Sequence, residues 1–280
     1  MINRTEVFVL NSGVRVVYSE SVSTVAHVGF FVDVGSKDET IGEYGVAHLI
    51  EHMLFKGTKD RSAFDIIQDI EGFGGDFNAY TSKEETCVHI SIVRDFYKKA
   101  LEVLSDIFYN SCFDEDELKK EKHVVFDEIA SYEDSPAELI GDSFEEYLFE
   151  QTPLAHSVLG NKKELKIITK EQIVAFYRKY YVNNNLVVSF VGNVPFDEFK
   201  SEVEFYFSKE TGVDVVKRNK FSYQNAKFVL ALNRKTFQSH FMLGCKAYDC
   251  FDPKRLTFSF LNNMLGGPCF NSILNLFLII

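Results

Sequence analysis

Between Tyr44 and Phe55 the side chains that could bind a metal or move a proton are His48, Glu51 and His52; the rest are Tyr, Gly, Val, Ala, Leu, Ile, Met and Phe. At about 100° per residue on a helix, the three fall within an arc of about 100°, one polar patch on an otherwise apolar cylinder. Two imidazoles four residues apart can grip one ion, and the carboxylate between them can reach a water on it. Zinc suits that set, because neutral imidazole nitrogens and one carboxylate oxygen form an open three-ligand site. Zinc brings the pKa of bound water to about 7, and Glu51 is then the candidate general base. The plain alternative is two core histidines with satisfied hydrogen bonds and a paired glutamate.

A third ligand should be a carboxylate or imidazole whose burial makes little sense otherwise. The helical pattern Asp114–Glu133 offers two. With Leu118 at 0° on the wheel, Val125, Ile129 and Tyr132 lie within about 40° of it and Val124 near 240°, so that Glu121 and Glu128, near 300° and 280°, fall inside the apolar arc. Ionised carboxylates there cost several kcal/mol each unless paired or metal-bound. A cation explains them; a solvated edge, with Glu121 bonded to Lys122 or Lys119, is the other reading. The wheel does not rank the two glutamates, and it turns Asp127, Lys120 and His123 to the surface.

The elements that must position these groups read as strands followed by helices. Residues 5–10, 14–18 and 25–34 have strand character, with Asn11-Ser12-Gly13 as a turn. A buried helix over about 43–56 ends at Gly57, and Ser62 with Asp65 predicts a capped helix through Ile70. Strands at about 76–82 and 86–93 precede helical periodicity from Asp95 to about Tyr181, broken near Cys112, Pro136 and Pro153. A strand Leu186–Val191 and a helix after Pro195 complete an α+β pattern, an antiparallel-rich sheet packed against helices.

The expected division is a zinc-binding domain over 1–210, a polar linker over 211–225 and a second unit over 226–280, with strands at 227–232 and 237–248 and a helix from about Pro253. His48-Leu-Ile-Glu51-His52-Met-Leu has a faint echo in Ser259-Phe-Leu-Asn262-Asn263-Met-Leu, offset by 211 residues. If that echo is a duplication, the second unit is a degenerate, incomplete copy of the same domain that has lost every metal-binding side chain.

With 280 residues and 46% hydrophobic content the chain can bury a sizeable core. A formal charge of −11 disfavours nucleic acid and anionic membranes and would steer cationic ligands inward. Five cysteines, without paired metal-ligand spacing, point to reduced thiols. The N-terminus has neither a secretory h-region nor an amphipathic presequence, which gives a cytoplasmic expectation.

Gly45-Val-Ala-His48-Leu-Ile-Glu51-His52-Met-Leu-Phe-Lys-Gly-Thr58, then Phe77-Asn78-Ala79-Tyr80-Thr81, then the run from Glu121 through Glu128 to Pro136 resemble the processing-peptidase branch of the pitrilysin family of metallopeptidases. The similarity covers residues 1 to about 265, and the inverted motif His-x-x-Glu-His is specific because its flanks and a glutamate 76 positions after His52 also match. The resemblance implies a zinc metalloendopeptidase with one zinc per chain, held by His48, His52 and Glu128, and Glu51 as general base. It makes Glu121 the carboxylate behind the ligands that orients an imidazole. It implies a peptide substrate held by β-augmentation at Asn78 and Ala79. A basic residue of that substrate would meet Glu138 and Asp142, and a related subunit is a possible oligomeric partner.

Relatives run well past 400 residues and carry an Arg and a Tyr in their second domain near the scissile bond. Leu265-Gly266-Gly267 resembles the start of the family's glycine-rich turn, but the uncharged run Pro268–Ile280 departs from it. It is too short to span a bilayer, which takes about 20 residues. It reads as a truncated or frame-shifted end, which leaves open a catalytically impaired subunit that binds zinc and peptide within a peptidase assembly.

Overall fold

The computed structural model describes residues 4–209, 211, 228–234, 238–267 and 272–274. It divides into two units, Met1–Tyr223 and Gln224–Ile280. The first holds β1 (Thr5–Val9), β2 (Arg15–Glu20), β3 (Val25–Val32), α1 (Val46–Leu54), α2 (Ala63–Glu71), β4 (Asp76–Thr81), β5 (Thr86–Val93) and α3 (Tyr97–Asn110). There follow α4 (Glu115–Glu133), α5 (Pro136–Leu148), α6 (Lys162–Ile167), α7 (Lys170–Tyr180), β6 (Leu186–Gly192) and α8 (Phe196–Tyr206).

The sheet order is β1-β2-β6-β3-β5-β4. Only the β2–β6 pairing is parallel; the others are antiparallel, as the hydrophobic alternation implies. Side chains alternate across it. Val16, Tyr18, Val28, Phe30, Ile90, Val188 and Phe190 are buried on one face, while Val7, Val25, Val93 and Val191 are exposed on the other. The Asn11-Ser12-Gly13 turn joins β1 to β2, with Gly13 at φ +91° where a side chain would be strained.

The capped helix predicted from Ser62 is α2: the Ser62 hydroxyl accepts the Asp65 N–H at 3.2 Å and the Asp65 carboxylate accepts the Ser62 N–H at 3.0 Å. The segment joining α1 to α2 is tied down by charge. Arg61 reaches Asp69 at 2.9 Å, Asp106 at 2.8 Å and also Glu102, while the Thr58 hydroxyl donates to Asp106 at 2.7 Å. Carboxylates of α2 and α3 thus converge on one guanidinium carried by the segment after α1, whose planar fork suits several carboxylates at once.

In the second unit α9 (Arg255–Gly266) takes the place of the helix expected from Pro253 and carries Ser259, Asn262 and Asn263. The strands expected at 227–232 and 237–248 are not formed: the described residues there, 228–234 and 238–248, are irregular and largely exposed. A strand needs a neighbour for its N–H and C=O groups, and no partner ladder stands beside this run among the described residues. Most of the expected linker and most of Pro268–Ile280 lie outside the described residues. Among those described, Cys87, Cys112, Cys245 and Cys250 are free thiols, and no helix is long and apolar enough to cross a membrane.

Candidate metal centre and base

The metal-binding patch sits on α1, whose other side chains explain its rigidity. Val46, Ala47, Leu49, Ile50, Met53 and Leu54 are buried, so His48 and His52 are held by packing on both sides. Gly45 begins the helix at φ +96°, and a Cβ there would lie 2.9 Å from the Leu159 carbonyl oxygen, so only glycine fits. The exposed backbone donors at this end are met by a side chain from outside the helix. Glu39 is buried, and it accepts the Gly45 N–H at 2.9 Å and the Ala47 N–H at 2.7 Å. His156 approaches the same carboxylate at 3.1 Å.

On α4, Leu118, Glu121, Val125 and Ile129 are buried, and this face packs on α1. Val124 and Tyr132 are exposed, so the apolar arc is narrower than the wheel drew it. Asp127, Lys120 and His123 are at the surface, in agreement with it.

The structure brings His48, His52 and Glu128 together. Both imidazole Nε2 atoms stand 3.7 Å from Glu128 Oε2, and the candidate ligand atoms all lie within 4.8 Å of one another. A spacing of 3.7 Å is too long for a hydrogen bond. It is close to the separation of about 3.3 Å that tetrahedral zinc with ligands at about 2.0–2.1 Å imposes on neighbouring ligand atoms. Burial, and secondarily the neighbouring His52, hold the His48 imidazole down to about 3, so it is neutral near pH 7 with a lone pair to offer. The buried Nδ1 of His48 has no hydrogen-bond partner. A buried imidazole with one nitrogen unpaired and the other aimed at a carboxylate beyond bonding distance fits a metal ligand better than a satisfied core histidine.

Glu121 is the carboxylate behind the ligands. Its Oε2 lies 3.2 Å from His52 Nδ1 and its Oε1 lies 2.7 Å from Lys56 Nζ. A carboxylate can only accept, so this contact assigns the proton to His52 Nδ1 and leaves the Nε2 lone pair facing Glu128. Neither Lys122 nor Lys119 pairs with Glu121; they go to the Ile168 carbonyl and to Asp116.

Glu51 leaves the same helix toward β4, where the Thr81 hydroxyl donates to its Oε2 at 2.6 Å. Burial raises the Glu51 carboxyl above its ordinary range, against the lowering effects of that bond and of His52. Asn78 and Ala79 lie on β4, the free edge of the sheet, where the Asn78 side-chain oxygen accepts the Ala79 N–H at 2.9 Å. That backbone donor is not used in the ladder. Asp142 on α5 accepts the Ser157 hydroxyl at 2.9 Å and lines a cavity of ≈ 150 Å³ with Glu133, Glu146, Ile129 and Leu139. Glu138 is exposed and is not part of that lining.

Sequence reading does not reach Lys56, Thr81 and Glu39. Lys56 carried a usable signal, since it stands four residues after His52 on the same face. The other two depend on which elements meet in space.

The family described as insulinase-type peptidase M16 matches residues 15–162, and the peptidase M16 inactive domain matches residues 168–279. An uncharacterized zinc protease of Bacillus subtilis is 34% identical over 268 residues, covering 93% of this chain and 63% of that protein. One of Streptomyces coelicolor is 33% identical, covering 92% and 58%. A probable mitochondrial-processing peptidase subunit beta of Arabidopsis thaliana is 30% identical, covering 94% and 50%. The chain therefore spans only part of the length of these relatives. Among solved structures, a protease from Helicobacter pylori superposes with a TM-score of 0.74 at 26% identity, covering 79% of this chain and 54% of that one. A peptidase M16 inactive domain from Pseudomonas fluorescens gives 0.83 at 21% identity, covering 97% and 66%, a likeness of fold.

Proposed function

The chain belongs to the M16 peptidase family, and on that premise we propose that it is a zinc metalloendopeptidase acting on extended peptides, with His48, His52 and Glu128 as zinc ligands and Glu51 as general base. The convergence of two Nε2 atoms on Glu128 Oε2 at 3.7 Å carries the reading. Bound zinc would supply a Lewis acid that brings the pKa of water to about 7. The residues supply the rest. Glu51 accepts a proton at its carboxylate and hands it, as the carboxylic acid, to the departing amine, so that one side chain serves as base and then as acid. Glu121 fixes the His52 tautomer, and one zinc per chain satisfies the three ligands.

The edge of β4 supports substrate binding by strand addition, in which Asn78 releases the Ala79 N–H to a peptide carbonyl. On α5, Asp142 opens on a cavity it shares with two glutamates, which suits a basic side chain, and exposed Glu138 one turn earlier extends the acidic face. These acids, with the likeness to a relative named as a mitochondrial-processing peptidase subunit, favour the processing-peptidase branch and partnership with a related subunit.

The test is hydrolysis of an internally quenched, unstructured, arginine-rich peptide by the zinc-loaded chain. Cleavage stopped by a chelator and by Glu51→Gln is the expected result. One tightly bound zinc without cleavage would sink the autonomous peptidase and leave a zinc- and peptide-binding subunit. No bound zinc would remove the site itself.

A further inference from the structure

β4 and α1 are joined at two points. Phe77 packs its ring on Phe55 with centroids 4.6 Å apart, and four residues along the strand Thr81 donates its hydroxyl to Glu51 Oε2 at 2.6 Å. The alternation of the strand makes this possible: Phe77, Ala79 and Thr81 are half-buried on the side of α1, whereas Asp76, Asn78 and Tyr80 are exposed. Thr81 is itself fixed, since it closes the ladder opposite Thr86. The candidate base is therefore bonded to the strand whose free edge is available to a peptide.

A glutamate carboxylate has a broad terminal torsion, and nothing in the helix backbone chooses its orientation. A short bond to one oxygen makes that choice and presents the other, Oε1, for proton transfer. A peptide added to β4 would lie about 4.8 Å from it, one strand spacing away. We infer that Thr81 is a positioning residue for the Glu51 base, holding its carboxylate in the frame of the edge strand so that base and bound peptide keep one fixed offset. The inference rests on the reading of Glu51 as the base. The Thr81 hydroxyl bonds to Glu51 and to none of the metal ligands, and it acts through Glu51.

Zinc-loaded crystals of the native chain, Thr81→Val and Thr81→Ser test it without relying on turnover. Valine keeps β-branching at a strand position and removes the donor; serine keeps the donor. Thr81→Ala also removes the donor and covers a folding defect specific to valine. The expected result is one Glu51 rotamer in the native and serine proteins and more than one in the valine and alanine proteins, with zinc content unchanged. In peptide hydrolysis, kcat of Thr81→Val should fall by about 10- to 100-fold with KM within about twofold, and Thr81→Ser should recover most of it. A single unchanged Glu51 rotamer in Thr81→Val, or an unchanged kcat, overturns the inference. Full activity of Glu51→Gln would instead overturn the assignment of the base, while the rotamer comparison would still decide what Thr81 does.

Discussion

Lys56 Nζ stands 2.7 Å from Glu121 Oε1, so the carboxylate that orients His52 is neutralised by a residue just past the C-terminal end of the helix that carries His52. Glu121 is 5% exposed, and a charge so buried needs a partner. Lys56→Met should lower stability by about 2 kcal/mol, below the 3–5 kcal/mol of a fully buried pair because the ammonium keeps contact with water. Urea denaturation checks this. Glu121→Gln should weaken zinc binding by about 10- to 100-fold without abolishing it, as read by competition with a chelating dye.

Zinc should stabilise the folded chain by mass action. At a free zinc concentration about 100 times Kd the gain is about 2.7 kcal/mol, or a rise in Tm of about 5–11 °C for a unit of this size. Thermal unfolding with and without chelator measures it. Glu51→Gln should keep the shift and His48→Ala should lose it; the opposite pattern would mean the ligands are misassigned.

Glu39 gives a pH dependence of stability unrelated to activity. Burial raises its carboxyl more than the bonds from His156, Ala47 and Gly45 lower it. The folded chain therefore keeps this proton at pH values where the unfolded chain has released it. Its contribution is complete below the ordinary carboxylate pKa of about 4.3 and is lost as pH rises through the folded value. Glu39→Gln cannot titrate, so the stability of the native chain relative to the variant should decline from about pH 4 to pH 7. Calorimetry at both pH values would show a constant difference if Glu39 had an ordinary pKa.

Asp106 gives the opposite slope. Burial works to raise its carboxyl, but hydrogen bonds from Asn110, Thr58 and Arg61 prevail and hold it below the ordinary range. Its contribution is present above a pKa of about 3.9 and is lost as pH falls through the lower folded value. Asp106→Asn should flatten the acid limb of the stability curve. Arg61→Leu should cost about 3 kcal/mol, because it leaves Asp106 buried without its cation; urea unfolding near neutral pH reads that loss.

Much of the first unit was legible because its signals are local. His48, Glu51 and His52 share one turn, Ser62 and Asp65 form a cap three residues apart, and the strand alternation of 25–32 and 86–93 needs no knowledge of neighbours. Glu121 and Glu128 were visible as acids on an apolar face. What local pattern does not carry is which elements meet. Thr81 reaches Glu51 because β4 is the edge strand beside α1, and Glu39 reaches Ala47 because the chain doubles back under the helix start. Val124 and Tyr132 illustrate the converse error, since hydrophobicity placed them in the buried arc whereas both are exposed. Among the described residues of the second unit, 228–234 and 238–248 form no strand, because alternation signals a strand only where a neighbouring ladder completes it.

The position of β6 also orders events during synthesis. Residues 186–192 lie between β2 and β3, so until they leave the ribosome the sheet exists as two fragments with open edges, one parallel pairing and one antiparallel pairing short. Every candidate metal ligand has been made by residue 128. Zinc capture in a growing chain would thus precede closure of the sheet beneath it, and a fragment ending before Leu186 would expose unpaired strands to aggregation even with its ligand set complete.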